Sequence, residues 1–420
     1  MGKILPSYKK AVYDEIVDNI VSNTSYYYAF AANPIPYEST APAVANNDYS
    51  TMFINDWQLL FGKKLANSNF FPVITKNIWI TNTVYNRYDN TSNTMYANNN
   101  YYVICQPASI GGAYHVYKCI DNANGSVSSV DPSSIGTPTQ ATTFQTGDNY
   151  KWRYITSISS QNYSNFSTEN YAPIYPNNSI VSGAFTYSGV EVVMINNPGS
   201  GYSSYANGYV RGVVNSTVIQ IESTSSGDSQ FYTNGAIYIY NTIASTSQIR
   251  GVAGYIANTS GKWIYLDTPA NTTNITPSVT QYYISPKVVF DTDGTAPAAY
   301  SVVNTSTNSI ASIVILDIGS GISRANVSIQ SNTSYGSGAN LYAIVPPPGG
   351  HGYDPATELD MQGIGIYFNF ANTEGGNILA SSVNINKIGL IKNPYELDTG
   401  GTKGLKIKSA YINHLFDETT

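Results

Sequence analysis

Charge is what this sequence has least of. Only 11% of its residues are Asp, Glu, Lys or Arg, against roughly a quarter in an ordinary soluble domain. The formal net charge is −6, and cations cluster no further than pairs such as Lys9–Lys10 and Lys63–Lys64. Without a basic stripe to neutralise phosphates, direct nucleic-acid binding is not expected. Cysteine is almost absent. Cys105 and Cys119 are the only two, too few for a secreted disulfide scaffold. They fall on segments that read as neighbouring strands, where a disulfide is open to them and buried free thiols are the expected state. No apolar run approaches the roughly 18 residues of a membrane span, so no membrane insertion is expected. The opening MGKILPSYKK has no apolar core of a signal peptide. Gly2 invites myristoylation, but Pro6 stands where that signal wants Ser or Thr.

Tyrosine is abundant: 37 Tyr stand against 13 Phe and 4 Trp. With 42% hydrophobic residues, disorder is not expected despite the low charge. Tyr, Thr, Asn, Ser and Gly together suit a β-rich chain with many tight turns. Tyrosine also serves contacts between proteins, having few torsions and a polar tip. Two explanations of the composition stand side by side, burial inside an assembly and the codon bias of an AT-rich genome.

Along the chain, Ser7 can cap a helix over Lys9 to Val21, with Val12, Ile16 and Ile20 on one face. Asp14 and Glu15 suit its early turns. A second helix is expected over Thr51 to Phe61, with Phe53, Trp57, Leu60 and Phe61 as its apolar face and Gly62 ending it. Strand segments follow at Phe71–Ile74, Ile78–Ile80, Tyr101–Cys105, His115–Ile120 and Tyr150–Ser157. From about residue 180 to 345 the strands become short and Gly/Asn-punctuated, as at Val190–Ile195, Val218–Glu222, Ala236–Tyr240, Trp263–Asp267, Lys287–Phe290 and Ile313–Leu316. Two of them share a pattern, an apolar strand leading into Gly199–Ser200–Gly201 and into Gly319–Ser320–Gly321. Related elements and coincidence explain it equally. Gly363–Phe370 and Asn386–Ile391 read as strands returning to the first domain. The expected fold is mainly β: an antiparallel β-sandwich parent domain with short N-terminal helices and an inserted Gly/Asn-rich β domain. The expected limits are 1–50 for an N-terminal helix and extended arm, 51–179 for the first part of the parent, 180–345 for the inserted domain and 346–420 for the return.

Candidate chemistry is sparse. His115, His351 and His414 share no metal-ligand spacing. His115 reads as structural. His351 lies in the Gly-rich run Gly349–Asp354, which reads as a domain-junction loop rather than a catalytic tip. Asp291–Thr292–Asp293–Gly294 starts like a calcium loop but lacks the downstream bidentate Glu, so a β-turn is expected. Gly199–Ser200–Gly201 does not complete a nucleotide-binding pattern, and no G-x-S-x-G or HExxH occurs. No catalytic residue, cofactor or metal is expected, and the chain is not expected to be an enzyme.

Four places resemble one family, the dimeric baseplate wedge subunit of T-even-type contractile-tailed bacteriophages in its lengthened cyanophage-like form. Asn55–Asp56–Trp57, followed by Lys63–Lys64–Leu65 and Ile74–Trp79, is similar to the family's Asp-x-Trp helix and Trp-containing strand start. Tyr102–Cys105 and Val116–Asp121 resemble its paired strands ending in Tyr-Arg/Lys-Cys-Leu/Ile-Asp. Thr146–Tyr154 resembles its Gly-Asp-Gly-Tyr-x-Trp-x-Tyr strand, and Ile388–Pro394 its late Ile-x-x-Ile-x-Asn-Pro segment. The second and third are the more specific. The central Gly/Asn-rich region has no counterpart in the shorter prototype. The resemblance implies a structural virion protein of the tail baseplate, assembled in the host cytoplasm. It implies a homodimer that joins other wedge subunits and supports baseplate assembly and contraction. It carries no catalytic residues, and it implies packing roles for Trp57, Trp152 and Tyr154. A host-receptor or glycan-binding tail protein is the alternative that the Tyr- and Asn-rich loops suggest.

Overall fold

The computed structural model describes residues 5–32, 59–92, 95–98, 100–135, 143–176, 189–202, 205–330, 336–369, 387–397, 403–406 and 411–413. Trp57, His414 and the expected domain limits at 50 and 180 lie outside them. Within them the chain is mainly β, built from antiparallel ladders with few short helices.

Helix α1 spans Pro6–Val21 and starts at a proline rather than behind a Ser7 cap. Its N-cap is Leu5, without a side-chain bond. Pro6 suits the first turn because its φ is fixed and its missing N–H would be unpaired there. The packed face is Tyr13, Ile16, Val17 and Ile20, while Val12 is 38% exposed. A spacing of four drifts off a 3.6-residue turn, and the i, i+3, i+4, i+7 set from Tyr13 is the stripe that stays on one side.

Strands β1 (Tyr27–Ala32) and β2 (Leu59–Lys64) pair antiparallel. This corrects the end of the helix expected over Thr51–Phe61, whose residues 51–58 lie outside the described ones: Leu59 to Phe61 are extended, and Gly62 faces Phe30 across the ladder instead of ending a helix. Short apolar runs carry too little periodicity to separate helix from strand, and tertiary pairing decides. β3 (Phe70–Thr75) follows. Ile78–Ile80, expected as a strand, forms only an isolated bridge between Ile78 and Ile104.

β4 (Tyr102–Cys105), β5 (Tyr114–Asp121), β6 (Thr143–Gln145) and β7 (Lys151–Ile158) make a four-stranded sheet in the order β4-β5-β7-β6. Both faces are covered. Tyr102, Ile104, Val116, Ile120 and Ile155 join the largest core. Val103, Cys105, Tyr117, Cys119, Trp152 and Tyr154 form a second core on the opposite side. Double coverage is why these strands read as nearly continuous burial rather than alternation. A helix at Ser160–Phe166, capped by Ser159, leads to β8 (Tyr171–Pro173).

The next region runs through β9 (Val192–Ser200), β10 (Ala206–Tyr209), β11 (Gly212–Asn215), β12 (Val218–Ile221), β13 (Gly235–Asn241), β14 (Thr246–Asn258), β15 (Gly261–Leu266), β16 (Gln281–Thr292), β17 (Ala298–Asn304), β18 (Ser309–Asp317), β19 (Ala325–Gln330) and β20 (Ser337–Ile344). β10 and β11 are two halves of one bent segment. One half pairs with β16 and the other with β12, so the order β16-β13-β14-β15-β12 closes on itself as a barrel. Val210 donates to the Thr280 carbonyl at 2.9 Å and Arg211 to the Gln220 carbonyl at 2.8 Å, carrying the ladder around that corner. Every wall strand fills the interior, with Ala206, Ile219, Ile237, Val252, Ile264 and Ile284 among the contributors.

β9 pairs with β20, so the chain enters and leaves this region on adjacent strands. The two Gly-Ser-Gly turns are the same structure made twice. Asn197 and Asp317 each accept the amide of the first glycine, at 3.0 and 2.9 Å. All four glycines have positive φ, 65° and 76° at Gly199 and Gly201, 74° and 63° at Gly319 and Gly321. Each turn then buries the next side chain, Tyr202 or Ile322. Val190 donates to the Ile318 carbonyl and Tyr202 to the Asn308 carbonyl, so each turn meets the start of the other strand.

β21 (Gly363–Ile366), β22 (Lys387–Lys392), β23 (Tyr395–Leu397), β24 (Lys403–Lys406) and β25 (Tyr411–Asn413) follow among the described residues. β21 lies beside β3, β22 beside β1 and β25 beside β2.

Candidate functional site

Of the places that carry the resemblance, the second and third share one sheet, the fourth lies beside β1 in another, and Asn55–Trp57 fall outside the described residues. Tyr102 pairs with Lys118, and Lys118 with Arg153, so β4, β5 and β7 form one continuous ladder. Trp152 is fully buried and stacks on Tyr150 with ring centroids 5.4 Å apart, and Tyr154 is also buried. Asp148 fastens the neighbouring loop: it accepts the amides of Ser129 (2.8 Å) and Val130 (3.0 Å) and the hydroxyls of Ser128 and Thr146. Burial opposes its charge, but these donors win and hold its carboxyl below the usual range. Asn149, where the family motif has glycine, takes φ 67°, a left-handed conformation that Asn tolerates. Asn393 of the Asn-Pro segment exchanges bonds with Tyr26. Its amide donates to the Tyr26 carbonyl at 2.7 Å, and its side-chain oxygen accepts from the Tyr26 amide at 2.8 Å.

The densest chemistry is a buried charge cluster on the core-facing side of that sheet. Cross-strand neighbours Lys118 and Arg153 are both fully buried. Arg153 binds Glu191, just before β9, at 2.5 Å. Lys118 binds Glu358, on the short helix Pro355–Glu358, at 2.6 Å. His351 joins them, with Nδ1 3.1 Å from the Lys118 ammonium and 3.0 Å from Glu358 Oε1. The Gly352 amide donates to Glu358 Oε2 at 2.7 Å. The Lys118 ammonium also lies 3.3 Å from the Tyr88 ring centre. With the His351 ring in its Nε2–H tautomer, the three protons of Lys118 are matched by a carboxylate, a ring nitrogen and an aromatic face.

Burial drives Lys118 down to about 8, partly offset by Glu358. Burial would raise Glu358, yet Lys118 and His351 hold it at about 2, so the pair is ionised near neutrality. Burial first, and Lys118 second, push His351 below its ordinary value, leaving its ring neutral.

The other candidates are placed separately. His115 is half-buried, with Nδ1 2.7 Å from the Ser157 hydroxyl, and desolvation lowers its pKa. Asp293 is spent on the amides of Ser323 and Arg324, and Asp291 pairs with Arg324 at 3.3 Å. Cys105 and Cys119 are free thiols, both buried. Among the described residues no three His, Cys, Asp or Glu gather as a metal site. Glu191 and Glu358 were not singled out from sequence, and Lys118 and Arg153 entered only as members of the two motifs, without this role. The available signal was a cation inside two otherwise apolar strand runs, Val116–Ile120 and Trp152–Ile155.

Several grooves mark the surface. One of about 460 Å³ lies along β14, lined by Ser247, Arg250, Asn271 and Asp317 among others. Another of about 470 Å³ lies between the β5–β7 sheet and β9/β18, lined by Arg87, Asp121, Lys151 and Glu191 with apolar strand residues. No protein-family model matches this chain, and no curated protein does.

Proposed function

We propose that this protein is a structural component of a contractile phage tail, a baseplate wedge subunit that forms a homodimer and joins neighbouring wedge proteins. The observation that carries the reading is the meeting of its two most specific motifs. Val116–Asp121 and Lys151–Tyr154 pair directly, and their inner side chains, from Val116 to Ile120 and from Trp152 to Tyr154, are committed to packing and internal ion pairs. Residue types that look chemically active therefore act as framework, which suits a structural virion subunit. In this reading the parent region is a β-sandwich that carries the contacts with neighbouring subunits. Large apolar side chains stand out at loop tips and strand edges, among them Ile110, Ile243 and Ile388. Contact area of this kind stabilises association by roughly 25 cal/mol per Å² before ordering costs.

The test is co-expression with the tail proteins encoded beside it, followed by size-exclusion chromatography with light scattering. A homodimer that co-elutes with at least one wedge partner is expected. A monomer that stays apart from all of them would overturn the proposal.

A further inference from the structure

We infer that the Lys118–His351–Glu358 cluster, with Arg153 and Glu191, is an acid-sensitive latch: it clamps both segments flanking residues 192–344 onto the β4–β7 sheet and opens when His351 takes up a proton. This inference does not rest on the virion assignment.

The clamp is visible in the connectivity. Glu191 precedes β9, and Glu358 follows β20. Their ion-pair partners, Arg153 and Lys118, are adjacent in one sheet and fully buried. Both chain segments are thus anchored at one place by charge. The Tyr101 hydroxyl, donating to the Glu358 carbonyl at 2.9 Å, fixes the short helix from the same sheet.

Charge balance supplies the switch. With a neutral ring, two cations face two carboxylates. His351 is faced by Lys118 from β5, Glu358 from the Pro355–Glu358 helix, Tyr88 edge-on at 5.5 Å, and Arg153 and Glu191 at the next remove. A proton on Nδ1 would let the ring donate to Glu358 Oε1. It would also set a second positive charge against the Lys118 ammonium 3.1 Å away, where Lys118 is fully buried. Protonated His351 therefore competes with Lys118 for one carboxylate, and the buried site gains an uncompensated charge. Of the three groups that meet at Glu358 Oε1, Glu358 is held at about 2 and Lys118 at about 8. In mild acid Glu358 therefore stays ionised and Lys118 only completes its protonation, which leaves His351 as the group whose change from neutral to charged alters the balance.

The sign follows. The folded state keeps His351 neutral below its ordinary pKa of 6.5, so the latch is intact above that value and weakens as pH falls through it. Three positive-φ glycines, Gly349, Gly350 and Gly352, flank the histidine and give the released segment freedom to move.

Hydrogen exchange of the full chain, at about pH 7.5 and about pH 5 and corrected for intrinsic rates, tests this. The barrel strands β12–β16 serve as internal reference. In the wild type, amides of 189–195 and 350–361 are expected to lose about tenfold in protection relative to the barrel at the lower pH. His351→Gln, which can still accept from Lys118, is expected to remove that loss. Glu358→Gln is expected to leave both segments fast-exchanging at either pH. Equal protection in the wild type at both values, or an acid loss that survives in either variant, would overturn the inference.

Discussion

Single residues explain most of what a sequence scan left blank. Lys118 and Arg153 sit in runs that read as plain apolar strands, and their carboxylates lie 240 and 38 positions away. No local pattern announces such a pair, because the sheet brings its ends together. Removing one partner leaves a buried charge uncompensated. Lys118→Met and Glu358→Gln are each expected to cost about 3–5 kcal/mol. The double variant Lys118→Met/Glu358→Leu is expected to cost less than the sum, read as coupling in a denaturant double-mutant cycle. Asp148 was legible as part of a motif, but its role as a loop clasp was not. Asp148→Ala is expected to lose about 1–3 kcal/mol. In the wild type this contribution is present above the carboxyl's ordinary pKa of 3.8 and fades as pH falls below it, because the folded value is depressed. Asn149→Gly is expected to be nearly neutral and Asn149→Ala destabilising by roughly 1 kcal/mol, since φ is positive there.

Elements were legible where strands are rich in β-branched and aromatic residues and bounded by turn residues. Val218–Glu222, Ala236–Tyr240 and Trp263–Asp267 all contain the observed β12, β13 and β15 cores. They were misread where a short apolar run lacked a partner in view. Leu59–Phe61 is a strand because β1 lies beside it. Closure of the barrel was hidden for a similar reason, since Val210 and Arg211 look like an ordinary gap between strands while their amides carry the ladder around the corner. The paired Gly-Ser-Gly turns were visible, and the fold resolves their meaning. A side chain at Gly199 would meet the backbone of Ala339 and Ser337, and one at Gly319 the carbonyl of Thr295. Gly199→Ala and Gly319→Ala are therefore expected to destabilise by similar amounts, on the order of 1–3 kcal/mol. Gly201→Ala, whose nearest contact is at 3.4 Å, is expected to cost less. Thermal unfolding of the three variants checks the order.

At the scale of the whole molecule, the mainly β class was legible because Tyr, Thr, Asn and Gly favour pleated surfaces and tight turns. How the strands group was not, since β1 with β22 and β3 with β21 pair across most of the chain. If the proposed structural role holds, changing an exposed apolar tip should cost assembly rather than stability. Ile110→Ser, at a fully exposed side chain in the loop between β4 and β5, is expected to shift the melting temperature little while weakening any contact made through that loop, read by co-elution with tail proteins. The most direct test of the structural role is a density map of the intact tail. The chain should appear as a dimer within the baseplate wedge, with its surface shared among neighbouring subunits. Its appearance on a distal fibre, or its absence from the particle, would contradict that role.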